Sequence, residues 1–211
     1  MTLGAVILCG GESRRMGRPK AWLPFGPELM LPRVVRLAGM AVGAGPIVVV
    51  AAPGQALPEL PDTVTIARDP VTGRGPLQGL AAGLGALPDS VELVYATATD
   101  VPFLAPAWIG LLRDLIGADD LAIPFFEGHH HPLAALYRRA AVLPAIESLL
   151  RVDRLRPVFL MEAVRTRVVA AEELRAADPE LRTLWNLNAP ADYQRALAEA
   201  GFQETGPTGM D

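Results

Sequence analysis

The chain has no apolar run of the roughly 18 to 20 residues needed to cross a bilayer, because glycine, proline or charge interrupts every candidate stretch. It has one cysteine, Cys9, which excludes an internal disulfide, supplies no cysteine cluster for zinc, and fits a reducing compartment. Excess positive charge is missing too. The formal net charge is -4 and the pI is near 5.4, so the molecule as a whole does not attract nucleic acid or an anionic lipid surface. The apolar N-terminal stretch begins at Leu3 without a basic leader and runs directly into G-G-E-S-R-R, which does not fit a secretory signal. These absences predict a cytoplasmic protein with no nucleic-acid and no membrane partner. No internal repeat or low-complexity linker is visible.

At 211 residues, 51% of them hydrophobic and 20% charged, the chain predicts one compact domain rather than a disordered segment. Runs rich in β-branched residues occur at 3–9, 46–52, 64–67, 91–97, 120–124 and 166–171. Between them lie stretches with helical spacing at about 31–42, 77–87, 106–117, 139–151, 157–164 and 190–200. This alternation predicts a single-domain α/β fold, three layers α/β/α, with a mostly parallel Rossmann-like sheet. Pro32, Pro106 and Pro157 sit where a first helical turn accepts proline, and Asn188 is a candidate N-cap for the last helix. The domain is expected to span 1–201, with a flexible tail at 202–211.

Ligands of such a sheet bind beyond the carboxyl ends of its strands, which directs attention to the loops after residues 9, 67 and 99. The first, C-G-G-E-S-R-R-M-G-R-P-K, places Arg14, Arg15, Arg18 and Lys20 among Gly10, Gly11 and Gly17. Free N–H groups and four cations make a cradle for a polyphosphate; the plain alternative is a solvated basic loop. The loop matches neither the P-loop spacing nor G-x-G-x-x-G. The second, R-D-P-V-T-G-R-G-P-L-Q-G, offers Asp69, Gly75 and Gly79 before a helix, either as a second ligand wall or as an ordinary turn. In the third, T-A-T-D-V-P, Asp100 ends a strand, where it can hold a hard divalent cation such as Mg²⁺ or simply cap a turn. Together the loops hold the parts for nucleotidyl or phosphoryl transfer.

Four blocks, L-C-G-G-E-S-R-R-M-G-R-P-K (8–20), G-P-L-Q-G-L (75–80), T-D-V-P-F-L (99–104) and N-L-N-A-P-A-D-Y (186–193), resemble the molybdenum cofactor guanylyltransferase family in the family's order and over nearly the whole chain. The resemblance implies a nucleotide-diphospho-sugar transferase type of fold and transfer of GMP from GTP to molybdopterin, with pyrophosphate released. It implies that Leu8, Cys9, Gly10 and Gly11 contact guanine, that Arg15 and Lys20 hold the triphosphate, and that Asp69 lies near the nucleoside beside Gly75. Asp100 would bind Mg²⁺, and Lys20, Arg15 and Asp100 would carry catalysis. GTP and molybdopterin are the implied small-molecule partners, with transient contacts to proteins of cofactor synthesis and molybdoenzyme maturation.

Three departures stand out: Cys9 where the family usually has alanine, Thr97 and Thr99 before Asp100 where it commonly has more apolar or cysteine-containing residues, and Ala189 where its Asn-Thr-Pro block has threonine. Asn186 and Asn188 of that block are expected on the acceptor side. The segment F-F-E-G-H-H-H-P-L-A-A-L-Y-R-R (125–139) resembles the family's acceptor region and offers His131 and Arg138 to a phosphorylated pterin. Three adjacent histidines in a loop point in different directions and lack a metal-ligand geometry. Alternatives are a cytidylyltransferase on the same cofactor, another small-substrate nucleotidyltransferase, and a nucleotide-binding cofactor chaperone. The Gly10-Gly11 pair favours guanine, because cytidine-specific relatives tend to have alanine before the glycine.

Overall fold

The computed structural model of the chain describes residues 1–10, 16–69, 71 and 73–203. Its strands are β1 (Leu3–Leu8), β2 (Pro24–Phe25), β3 (Glu28–Leu29), β4 (Ile47–Ala51), β5 (Val64–Arg68), β6 (Leu93–Ala98), β7 (Leu121–Phe126), β8 (His129–His130), β9 (Ala134–Arg138) and β10 (Thr166–Ala170). The helices are α1 (Met30–Val42), α2 (Pro76–Ala86), α3 (Pro106–Leu115), α4 (Arg139–Arg151), α5 (Leu160–Ala163), α6 (Ala171–Leu174) and α7 (Pro190–Glu199). The main sheet runs β10-β7-β9-β6-β1-β4-β5, with β8 paired to β7, while β2 and β3 form a separate hairpin.

All six residues of β1 are buried, as a central strand covered on both faces requires. Its side chains alternate between two cores. Ala5 and Ile7 join α1 and α3 on one face, and Val6 and Leu8 join α2 and α4 on the other. Strand β4 repeats this with Ile47 and Val49 against Val48 and Val50, so period-two alternation produces the three layers. The chain moves outward from β1 to β4 and β5, then returns to the other side of β1 with β6. The β1–β6 boundary is therefore the switch point, where the strand exits diverge and leave a crevice.

The six expected strands all form within a residue or two of their predicted bounds. The stretch 157–164 divides into a 3-10 turn, Pro157–Phe159, and α5. Strand β9 lies inside the 125–139 segment, outside the six expected strands, and runs antiparallel between β6 and β7. Asn188 is not the cap of α7. Ala189 holds that position with Pro190 next, and the Asp192 carboxylate accepts from the N–H groups of Asn188 (2.9 Å) and Ala189 (2.8 Å). Phe202, at the head of the expected tail 202–211, packs edge-on against Phe25 with ring centroids 5.5 Å apart; residues 204–211 lie outside the described residues.

Candidate active site

The exit of β1 is fastened to β4. Cys9 N–H and Gly10 N–H both donate to the Val50 carbonyl, at 2.7 and 3.1 Å. A Cβ on Gly10 would stand 3.2 Å from the Ala52 nitrogen, so glycine permits the two backbones to approach this closely. Cys9 is half-buried, and that burial pushes its thiol pKa up. A neutral thiol is a weak nucleophile, in keeping with a packing role.

Asp100 follows β6 directly. The preceding Thr99 is pinned to the Leu8 carbonyl by its N–H (3.1 Å) and its Oγ1 (3.2 Å), which locks the two exits at the switch point. The Asp100 carboxylate is buried, at 7% exposure. Its Oδ2 pairs with Lys20 Nζ at 2.5 Å, while Oδ1 has no hydrogen-bond partner among the described residues. Lys20 opens a 3-10 turn, Lys20–Trp22, that leads into the β2–β3 hairpin. The chain's C-terminal part holds both pieces: Tyr193 of α7 donates its hydroxyl to the Pro24 carbonyl of the hairpin, and Leu187 N–H donates to the carbonyl of Asp100 itself at 3.0 Å.

The third wall comes from the β5 exit and α2. Asp69 N–H donates to Ala51 O at 2.9 Å, and its Oδ1 accepts from Val71 N–H at 3.0 Å, a turn that aims the remaining carboxylate oxygen toward Gly79 on α2. Gly75 caps α2 at φ +80°, a conformation that a side chain would strain. Arg74 braces this loop from behind by donating to Leu150 O (3.2 Å) and to Asp153 (2.9 Å) at the end of α4.

Of the expected residues, Leu8, Cys9, Gly10, Lys20, Asp69, Gly75 and Asp100 line one cavity of about 1000 Å³. Gly11 and Arg15 lie outside the described residues. Asn186 and Asn188 are exposed and flank Leu187, whose bond to Asp100 keeps them beside this edge. His131 lies at the carboxyl end of β7, its N–H donating to Pro124 O at 2.9 Å; its Nε2 is buried without a partner, and burial holds the imidazole pKa below its ordinary 6.5. Arg138 is at the wrong end. Because β9 is antiparallel, Arg138 pairs with Leu93 at the start of β6, and it donates to the carbonyls of Gly117 (2.9 Å) and Asp119 (3.2 Å). It braces the opposite edge of the sheet. Gln55, which also lines the cavity, carries no motif by which the sequence would reveal it.

The site has oxygen chemistry suited to one hard cation. Among the described residues no group of three or more His, Cys, Asp or Glu side chains could hold a metal, and Asp100, with one oxygen unpartnered among those residues, offers a single carboxylate. That suits a Mg²⁺ ion whose other ligands are phosphate and water. No helix among the described residues is long and apolar enough to cross a membrane.

Residues 5–176 match the model of the MobA-like NTP transferase domain. The chain is 37% identical over 203 residues to a probable molybdenum cofactor guanylyltransferase of Mycolicibacterium paratuberculosis, covering 95% of this chain and 97% of that one. Among solved structures, molybdopterin-guanine dinucleotide biosynthesis protein A of Archaeoglobus fulgidus superposes with a TM-score of 0.75 at 21% identity, over 94% of this chain and 98% of that one. A manganese complex of Rv0371c from Mycobacterium tuberculosis superposes with a TM-score of 0.64 at 16% identity, over 94% and 99%. The family match extends over both glycine-rich loops and Asp100, and the chain thereby belongs to the MobA-like NTP transferase family and is a nucleotidyltransferase.

Proposed function

We propose that the chain transfers GMP from GTP to molybdopterin. A phosphate oxygen of molybdopterin attacks the α-phosphorus of GTP; the new P–O bond forms as the bond to the bridging oxygen of the β-phosphate breaks, and pyrophosphate leaves with that electron pair. The observation that carries this reading is the part-buried Lys20–Asp100 pair at the switch point, in which both residues line a cavity of about 1000 Å³ and one Asp100 oxygen has no hydrogen-bond partner among the described residues. The name of the relative at 37% identity supports guanine and molybdopterin as the substrates.

In this mechanism Asp100 holds the divalent ion through its orphaned oxygen. Mg²⁺, when bound, supplies Lewis-acid neutralisation of the phosphate oxygens. Lys20 turns from Asp100 to the triphosphate and compensates charge that grows on the leaving pyrophosphate, and Arg15 is assigned the same task. The close-approaching backbone of Gly10 and Gly11 and the N–H groups at the start of α2 position the nucleotide. Asp69 receives hydrogen bonds from the nucleoside, Leu8 and Cys9 border the base, and Asn186, Asn188 and His131 face the acceptor. A cytoplasmic location and passing contacts with molybdoenzyme-maturation proteins belong to the same reading.

Pyrophosphate release measured with molybdopterin, Mg²⁺ and GTP, with CTP and ATP as controls, tests it. Asp100→Asn and Lys20→Ala are expected to reduce turnover by about 100-fold or more. Release from CTP in preference to GTP would make the enzyme a cytidylyltransferase. Variants as fast as wild type would remove Lys20 and Asp100 from catalysis, and GTP binding without release would leave a cofactor chaperone.

A further inference from the structure

One side chain ties together the strand exits on the β4 side of the cavity. Gln55 accepts at Oε1 from Ala52 N–H (2.9 Å) and donates from Nε2 to the Cys9 carbonyl (3.2 Å) and to Cys9 Sγ (3.5 Å). Arg68, at the end of β5, donates from Nη1 to the carbonyls of Ala52 (3.0 Å) and Gln55 (2.8 Å). Each end of the amide meets a partner of opposite character, so its orientation is determined and it joins the β1 exit to the β4 exit. The cavity is also electrically uneven. Arg18, Lys20 and Asp100 supply charge on one side and Asp69 at the β5 exit, whereas the stretch of wall formed by Cys9, Gly10, Pro53 and Gln55 carries no charge. A triphosphate belongs with the charges and a neutral heterocycle with the amides.

Resting on the nucleotidyl-transfer reading, we propose that Gln55 is the positioning residue that sets base selectivity. By bridging Cys9 to Ala52 it fixes at one spacing the carbonyl acceptors of the Cys9–Gly10 wall, whose N–H groups are already given to Val50. The donor edge of one base matches that spacing while others leave it unpaired. Unpaired polar groups are what discriminates between ligands of similar shape. Gln55 acts through Cys9 and Gly10 and is remote from the reacting phosphorus.

The test is equilibrium binding of GTP and CTP by titration calorimetry, with Mg²⁺ and without acceptor, on wild type, Gln55→Glu and Gln55→Met, with thermal melts to establish folding. The glutamate keeps the shape and the acceptor toward Ala52 but sets a carboxylate oxygen against the Cys9 carbonyl. The methionine keeps the length and removes all three side-chain bonds, and it carries the same readout if the glutamate variant fails to fold. The Kd for GTP is expected to rise about tenfold in both variants while that for CTP moves by less than about twofold, so the preference collapses. An unchanged ratio, or an equal loss of affinity for both nucleotides as from a plain structural strut, overturns the assignment. Wild type preferring CTP would defeat the guanylyl reading alone, with Gln55 then judged by collapse of the inverse ratio. Wild type binding neither nucleotide would defeat both.

Discussion

Lys20 and Asp100 are 80 positions apart in the chain and 2.5 Å apart in space. Desolvating such a pair offsets most of its Coulombic gain, so the pair adds little net stability at this strand exit. Asp120 illustrates the other use of a carboxylate. It accepts from Arg165 Nε (3.0 Å) and Nη2 (3.1 Å) at the edge of the sheet opposite the cavity, and the guanidinium holds its carboxyl below the ordinary 3.8. The unfolded chain therefore binds more protons than the folded one in that window. The pair's contribution is complete above the ordinary aspartate range and is lost as pH falls through the depressed folded value. Urea titrations of wild type across this acid range are expected to show stability declining more steeply than in Asp120→Asn; parallel acid limbs would contradict the role of the pair. Arg138, on the same edge, shows how a residue type suited to phosphate serves as a brace when the backbone carries it elsewhere.

Among the elements, α2 depends on small residues. A Cβ on Gly83 would lie 2.4 Å from Val6 Cγ1 and 2.9 Å from Val50 Cγ2, so the helix rests directly on β1 and β4, and its N-terminus is held at the cavity by that contact. Gly83→Ala is expected to destabilise the protein by about 1–3 kcal/mol through overpacking, despite better helix propensity. Gly110, inside α3, has nothing within 4 Å of an added Cβ; Gly110→Ala should stabilise by about 0.5–1 kcal/mol. Denaturant midpoints of the two variants should move in opposite directions, and a neutral Gly83→Ala would mean that α2 can lift from the sheet. Helix α7 lies beyond the family match, which ends at 176, yet it packs on the segment that carries Lys20: Tyr193, Ala196 and Leu197 form one cluster with Met16, Leu23, Phe25 and Met30. The C-terminal helix thereby becomes part of the site's support.

For the whole molecule, the cavity joins four strand exits and α2, so a ligand spanning it should stabilise the global fold. GTP with Mg²⁺ at about 100 times its Kd adds roughly 2.7 kcal/mol, which for a chain of this size raises Tm by about 5–10 °C. GTP without Mg²⁺, or Mg²⁺–GTP added to Asp100→Asn, is expected to give a smaller shift in a thermal melt; equal shifts would remove the metal from nucleotide binding. The alternation of strands and helices, the parallel sheet and the three informative loops were legible in the sequence, because hydrophobic period and glycine placement are local properties. The resemblance supplied residue roles that local pattern could not. Tertiary structure alone decided that β9 runs antiparallel and sends Arg138 to the far edge, that Asp192 and not Asn188 closes α7, and that Gln55 joins Cys9 to Ala52. Each of these is a choice of partner among groups that local sequence leaves equally eligible, and it is settled only when packing fixes which backbone comes within hydrogen-bond reach.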